Sequence, residues 1–153
     1  MDTQKAYRNS VIADYLGKLD PLFKYIPYLK SKEGAQTRSL YTGDNNSLKS
    51  IAVPVYDSNV LAFVKDAQKT GLMNRNYIYA YRKVGMNTPD NERLFISGAT
   101  FEDLSAITDI ITRYVLEGMS RSTMWQIAVE EGVWLHALLK LKELLEIHEG
   151  PLA

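Results

Sequence analysis

The fold is decided by residues 101–147, which read FEDLSAITDIITRYVLEGMSRSTMWQIAVEEGVWLHALLKLKELLEI. Apolar side chains recur in this stretch every three or four residues, which is the spacing of amphipathic helices. The first helix is predicted to begin at the capping motif Thr100-Phe101-Glu102-Asp103 and to end near Gly118. A second motif, Thr123-Met124-Trp125-Gln126, predicts a short helix that ends at Gly132. A third helix is predicted from Val133 through Leu145, so the C-terminal third is helical throughout.

Weaker signals in residues 1–100 extend the helical pattern. Residues 4–17 predict a first helix that ends near Gly17, and Asp20-Pro21 predicts the start of a second, with Pro27 inside it. A further helix is predicted from a cap at Asp57 or Ser58 through Gln68. Polar loops are predicted near 31–49 and 85–92, and short strands at 50–53 and 93–97. We therefore predict a single, mainly α domain over residues 1–153, folded as a bundle of about six helices. A small two-stranded β element in addition to the helices is left open.

The tyrosine-rich segment 75–84 fits two local structures. Its alternating tyrosines suit a β-strand, whereas Tyr77, Tyr81 and Val84 suit one face of a helix. We favour the helix.

Composition narrows the class of protein. Hydrophobic and charged fractions of 46% and 24% are those of a globular chain, and cysteine is absent. Neither a signal peptide nor a membrane span is evident in the sequence, so we expect a cytoplasmic protein without a membrane partner. Residues 1–100 hold 14 Lys and Arg against 9 Asp and Glu, while residues 101–153 hold 4 against 9. This difference in charge suggests either that the basic first part packs against the acidic last part within one domain, or that one of them forms a charged binding face.

No catalytic motif stands out. The chain has two histidines, His136 and His148, and lacks a phosphate-binding glycine loop or a nucleophile elbow. We predict no cofactor, no metal site and no catalytic residue, and keep an enzyme of unknown reaction, using one of the histidines with nearby glutamates, as a remote alternative.

Two segments are candidate binding sites. The turn that contains Glu117 and Arg121 leads into Trp125, and Arg and Trp are frequent anchors of protein interfaces. The same turn could instead be a helix–helix corner with a buried Trp125. The second segment could stack nucleic-acid bases on tyrosines between cations, and consists of Arg75, Tyr77, Tyr79, Tyr81, Arg82 and Lys83. Its alternative is that the tyrosines are half-buried at the rim of the core.

Scattered positions over about residues 50–147 resemble an uncharacterised family of small bacterial proteins, some of them carried by mobile elements. The resemblance rests on Tyr56-Asp57, Phe63, Ala99-Thr100, Leu104, Ile107, Arg113-Tyr114, Gly118, Trp125, Ala128, Gly132, Leu138, Leu141 and Leu144. Family members have a more basic stretch before the tryptophan, where this chain keeps only Arg121. The resemblance implies a mainly helical fold and brings no known activity.

The leading functional hypothesis is a non-enzymatic protein-binding module. An adaptor fits, as does a regulator or inhibitor encoded by a phage or another mobile element, such as an inhibitor of host defence. The partner would be another protein, with a homodimer left open. The alternative is a nucleic-acid-binding protein that uses residues 75–83.

Overall fold

The computed structural model describes residues 2–34, 38–41, 53–56, 58–121 and 123–149. This part of the chain is mainly helical. Its eight α-helices are α1 (Asp2–Phe23), α2 (Ile26–Lys32), α3 (Ser58–Lys69), α4 (Tyr77–Val84), α5 (Pro89–Ser97), α6 (Leu104–Glu117), α7 (Met124–Glu130) and α8 (Val133–Glu149). A 3-10 turn, Phe101–Asp103, precedes α6, and two short strands, β1 (Arg38–Tyr41) and β2 (Val53–Tyr56), pair antiparallel.

Helix α8 is the centre of the bundle and contacts α1, α2, α5, α6 and α7. Trp134, near its start, is fully buried, and the indole Nε1 donates to the Ile111 carbonyl of α6 at 3.3 Å. The ring of Trp134 lies 4.6 Å from that of Phe63 on α3, measured between centroids. One side chain therefore joins three helices, and its only polar atom has a partner.

The predicted C-terminal helices are present. The whole apolar stripe predicted for α6 is buried: Leu104, Ile107, Ile110, Ile111, Tyr114 and Val115. At the predicted cap, the Thr100 backbone N–H donates to Asp103 Oδ2 at 2.8 Å. The second capping motif is not formed, because the Thr123 side chain makes no capping hydrogen bond to α7. Tertiary packing of Met124, Ala128 and Val129 holds this short helix instead.

The N-terminal helix runs further than predicted. Helix α1 continues past Gly17, includes Pro21 near its end and stops at Phe23. Leu19 and Leu22 are fully buried, so their burial offsets the roughly 1 kcal/mol that a helical glycine costs. Pro27, predicted inside a helix, instead occupies the first turn of α2, where its missing N–H has no intrahelical partner to lose.

The predicted hairpin between residues 50–53 and 93–97 is wrong, because residues 93–97 belong to helix α5. That helix also shortens the loop predicted over 85–92. Strand β2 begins at Val53 and pairs with β1 instead, while residues 50–52 lie outside the described ranges. Of the loop predicted over 31–49, residues 31–32 continue α2 and 38–41 form β1; residues 35–37 and 42–49 are not described. The described residues contain eight helices rather than about six, and one of them, α5, covers a segment for which a loop and a strand were predicted.

Candidate binding surface on helix α4 and the α6–α7 corner

The tyrosine-rich segment is a helix, α4, that ends at a glycine. Gly85 has a φ of +82°, in the left-handed region, and its N–H donates to the Tyr81 carbonyl at 2.8 Å. Helical spacing places Tyr77 and Tyr81 on the same side, against α6, and their rings meet edge to face at 6.4 Å. Tyr79 points away and is 64% exposed. The three tyrosines therefore do not form one aromatic surface.

The inner side of α4 is held by a buried carboxylate, Glu92, on α5. Glu92 is 0% exposed and accepts hydrogen bonds from the hydroxyls of Tyr81 and Tyr114. The bond from Tyr114 measures 2.5 Å, and the Arg113 guanidinium pairs with the same carboxylate at 2.9 Å. These contacts tie α4, α5 and α6 together. They also satisfy both carboxylate oxygens, which a buried charge requires.

The tyrosines of this cluster remain protonated donors. Burial, together with the Glu92 carboxylate, raises the pKa of Tyr81 far above its ordinary value, and the pKa of Tyr114 is raised for the same reasons. Neither hydroxyl can therefore act as a base near neutral pH. The arrangement joins three helices through hydrogen bonds.

A second carboxylate, Glu117, joins the two segments that the sequence singled out. Its Oε2 accepts from the Tyr77 hydroxyl at 2.8 Å and lies 3.7 Å from Arg113 Nε, while Oε1 lies 3.9 Å from Arg121 Nη1. Burial and Glu117 raise the pKa of Tyr77 to about 12. Because Tyr77 and Arg121 share one partner, the start of α4 lies next to the α6–α7 corner.

Trp125 is packed into that corner and is half-buried. Its Nε1 donates to the Val115 carbonyl at 3.2 Å, and its ring lies 5.4 Å from that of Tyr56. A side-chain carbon on Gly118 would overlap the indole, so the glycine permits a close approach at this position. Trp125 thus shapes the corner from inside, whereas Arg121 is 71% exposed on its outside.

The outer face of α4 consists of Ile78, Tyr79, Arg82 and Lys83, all exposed. Ile78 is 47% exposed and lies next to the exposed Tyr79. Arg75, also exposed, lies in the turn that precedes α4, three residues before Ile78. We call Ile78, Tyr79, Arg82, Lys83, Arg75 and Arg121 the α4 surface.

Three residues of the network that holds α4 were not predicted from the sequence. They are the carboxylate Glu92 and two of its hydrogen-bond donors, Arg113 and Tyr114. The available signal was Thr88-Pro89-Asp90, a cap followed by proline and an acid, which marks a helix start. The Thr88 hydroxyl does accept from the Asn91 N–H at 3.1 Å. Recognising α5 from this signal would have placed Glu92 on a helix. It would not have shown that Glu92 pairs with Arg113, because that contact joins two helices.

The remaining candidates for chemistry do not converge. His136 Nε2 lies 2.8 Å from Glu33 Oε2, a contact that joins α8 to the end of α2. The side chain of His148 lies outside the described residues. Within the described ranges, no group of three His, Asp or Glu side chains is placed to hold a metal ion. None of the helices described combines the length and the apolar composition that crossing a bilayer demands.

Comparisons with protein-family models, with curated proteins and with solved structures found no match to this chain.

Proposed function

We propose that this protein is a non-enzymatic protein-binding module, an adaptor or regulator, and that it binds its partner through the α4 surface. This proposal rests on the different roles of the two sides of helix α4. Tyr77 and Tyr81 hold the inner side of α4 on two carboxylates, while Ile78 and Tyr79 are exposed between cations on the outer side. Exposed apolar side chains next to arginines are characteristic of protein interfaces.

The fixed position of α4 favours binding. A side chain that is already held in place loses less conformational entropy when a partner binds. The α4 backbone is anchored at Tyr77 and Tyr81, at opposite ends of its first turn, and capped at Gly85. The helix therefore presents its outer residues with little freedom to rearrange.

A protein partner fits this surface better than a nucleic acid. Base stacking needs several accessible aromatic rings, and the hydroxyls of Tyr77 and Tyr81 bind carboxylates while Tyr81 is only 8% exposed. Tyr79 alone of the three is open to a ligand. A partner with an apolar protein surface would gain affinity by burying the exposed Ile78 and Met119, whereas a phosphate backbone would not.

The resemblance to mobile-element proteins supports a more specific version of the proposal, an inhibitor or regulator of a host protein. A phage or defence-gene neighbourhood of the coding sequence would favour that version. A neighbourhood of metabolic genes would favour an adaptor.

The test is capture of a partner from lysate by the wild-type chain and by the double variant Tyr79→Ala/Arg82→Ala. We expect a protein that the wild type retains and the double variant loses. Leu94→Ser is the matched control, because Leu94 is 72% exposed but lies on α5, outside the α4 surface. Capture that survives the double variant, or that the control also abolishes, would contradict the proposal, as would no capture at any salt concentration.

A further inference from the structure

The segment that contains α4 is locally basic. Residues 67–89 hold four cations, Lys69, Arg75, Arg82 and Lys83, and no Asp or Glu. A segment of this length without a carboxylate stands out in a chain whose total charge is zero. Local charge of one sign attracts a partner of the other sign and sets the register of binding.

The nearby carboxylates do not neutralise these cations. Glu92 is buried and bound to Arg113, and Glu117 is held by Tyr77. Among the described residues, no carboxylate lies within ion-pair distance of Arg75, Arg82 or Lys83. The Arg121 guanidinium lies 3.9 Å from Glu117 Oε1 and is 71% exposed.

Some other cations of the bundle have close partners. Arg93 on α5 binds Asp90 and also donates to the Glu131 carbonyl at 2.5 Å, and Lys140 on α8 lies 3.1 Å from Glu143. Pairing is not general, because the exposed Lys30 and Lys65 also have no carboxylate within ion-pair distance among the described residues. The α4 surface differs because its unpaired cations Arg75, Arg82 and Lys83 lie together on a segment that has no Asp or Glu.

Apolar side chains lie among these cations. Ile78 and Tyr79 occupy the start of α4, with Arg82 and Lys83 one turn further on. Met119, two residues after Glu117, is 62% exposed. A complementary ligand therefore needs carboxylates for the cations and an apolar or aromatic side chain for Ile78 and Tyr79.

Resting on the proposed function, we infer that the partner of the α4 surface is an acidic protein segment that inserts an apolar or aromatic side chain between its carboxylates. The carboxylates bind Arg82, Lys83 and Arg121. The apolar side chain packs on Ile78 and Tyr79, where its burial supplies affinity that charge alone does not.

The experiment selects binders from a display library of random peptides of about 16 residues, long enough to span α4 in a helical or an extended form. Wild-type protein is the bait. The charge-reversed variant Arg82→Glu/Lys83→Glu and a control of the same charge change, Lys30→Glu/Lys65→Glu, are probed with the selected peptides. Lys30 and Lys65 are exposed lysines on α2 and α3, away from α4.

We expect the selected peptides to be richer in Asp and Glu than the input library and to contain Leu, Phe, Tyr or Trp. Their affinity should fall about tenfold or more on charge reversal of α4 and change little in the control. It should also fall as NaCl rises from about 0.05 to about 0.5 M. Thermal melting checks that each variant folds. We expect all of them to fold, because the substituted residues are exposed.

Three results would overturn the inference. Selected peptides without an acidic excess would do so, as would equal binding by the charge-reversed variant, or tighter binding of single-stranded RNA homopolymers than of any selected peptide. Neutral apolar peptides that depend on Tyr79 would leave the binding module intact and remove only the acidic partner. If no peptide depends on the α4 surface and lysate capture is also unaffected by its variants, both proposals fail.

Discussion

Gly118 and Gly17 show how one residue type has opposite effects at two places in the same fold. Both have helical or near-helical backbone, but Gly118 faces the indole of Trp125 while Gly17 has open space around its Cα. The sequence marked both as helix ends. Only the end of α6 at Glu117, next to Gly118, agrees with that prediction.

Gly118→Ala should therefore destabilise the protein by about 1–3 kcal/mol, because the new methyl group displaces Trp125. Gly17→Ala, its matched control, should stabilise by about 0.5–1 kcal/mol, since alanine costs less entropy in a helix. Urea unfolding of both variants measures the difference. The same sign for both substitutions would contradict the packing of Trp125 on Gly118.

Asp109 on α6 is the residue whose charge should make stability depend on pH. Burial raises its pKa to about 6 in the folded protein, above the ordinary value of 3.8. Between these values the folded state binds a proton that the unfolded state has released, so stability falls as pH rises from about 4 to above 6. Solvent screening at this half-buried site reduces the effect to about 1–2 kcal/mol.

Asp109→Asn should remove that slope. The variant should be more stable than the wild type at pH 7.5 by a clearly larger margin than at pH 4.5, because asparagine keeps the size of the neutral acid and does not ionise. Urea unfolding at both pH values tests this, and the difference between the two proteins cancels the contributions of other carboxylates. A gap of equal size at both pH values would show that Asp109 does not titrate between them.

At the scale of elements, α4 depends on its neighbours for its position. It is eight residues long, too short for a stable isolated helix, and the hydroxyls of Tyr77 and Tyr81 attach it to α6 and α5. The sequence indicated the helix and the face on which both tyrosines lie. It did not indicate their partners, which are 40 and 11 residues away along the chain.

Three tyrosine-to-phenylalanine substitutions test this attachment. Tyr81→Phe should cost about 1–3 kcal/mol, because it leaves the buried Glu92 short of a donor. Tyr77→Phe should cost less, about 1 kcal/mol, since Glu117 is partly exposed and water can replace the hydroxyl. Tyr79→Phe should be near neutral because Tyr79 is exposed. Denaturant unfolding of the three variants gives the order, and a cost for Tyr79→Phe equal to that of Tyr81→Phe would contradict it.

Across the whole molecule, stability is concentrated around α8. Helices α1, α2, α5, α6 and α7 pack against it, and its Trp134 also touches Phe63 of α3. Trp134 is completely buried. Trp125, the other tryptophan, is half-buried and belongs to the corner.

Trp134→Ala should cost about 3–5 kcal/mol, because it empties a large volume where three helices meet. Leu139→Ala is the control on the same helix, with Leu139 36% exposed, and should cost about 1 kcal/mol or less. Thermal or urea unfolding provides the comparison. Equal losses for the two would mean that α8 is not packed at the centre of the bundle.

The sequence by itself determined that the protein is mainly helical, and which faces of α6 and α8 are apolar. These properties follow from the spacing of side chains along the chain, which fixes one face of a helix without knowledge of its neighbours. Tertiary structure decided the rest. Helix α1 continues past Gly17 because Leu19 and Leu22 are buried against the rest of the fold. Tertiary packing also brings together four side chains from three helices: Glu92, Arg113, Tyr81 and Tyr114. It also divided the tyrosines of α4 into two anchors and one exposed ring, because a carboxylate partner across the fold decides which hydroxyl is held and which stays open to a ligand.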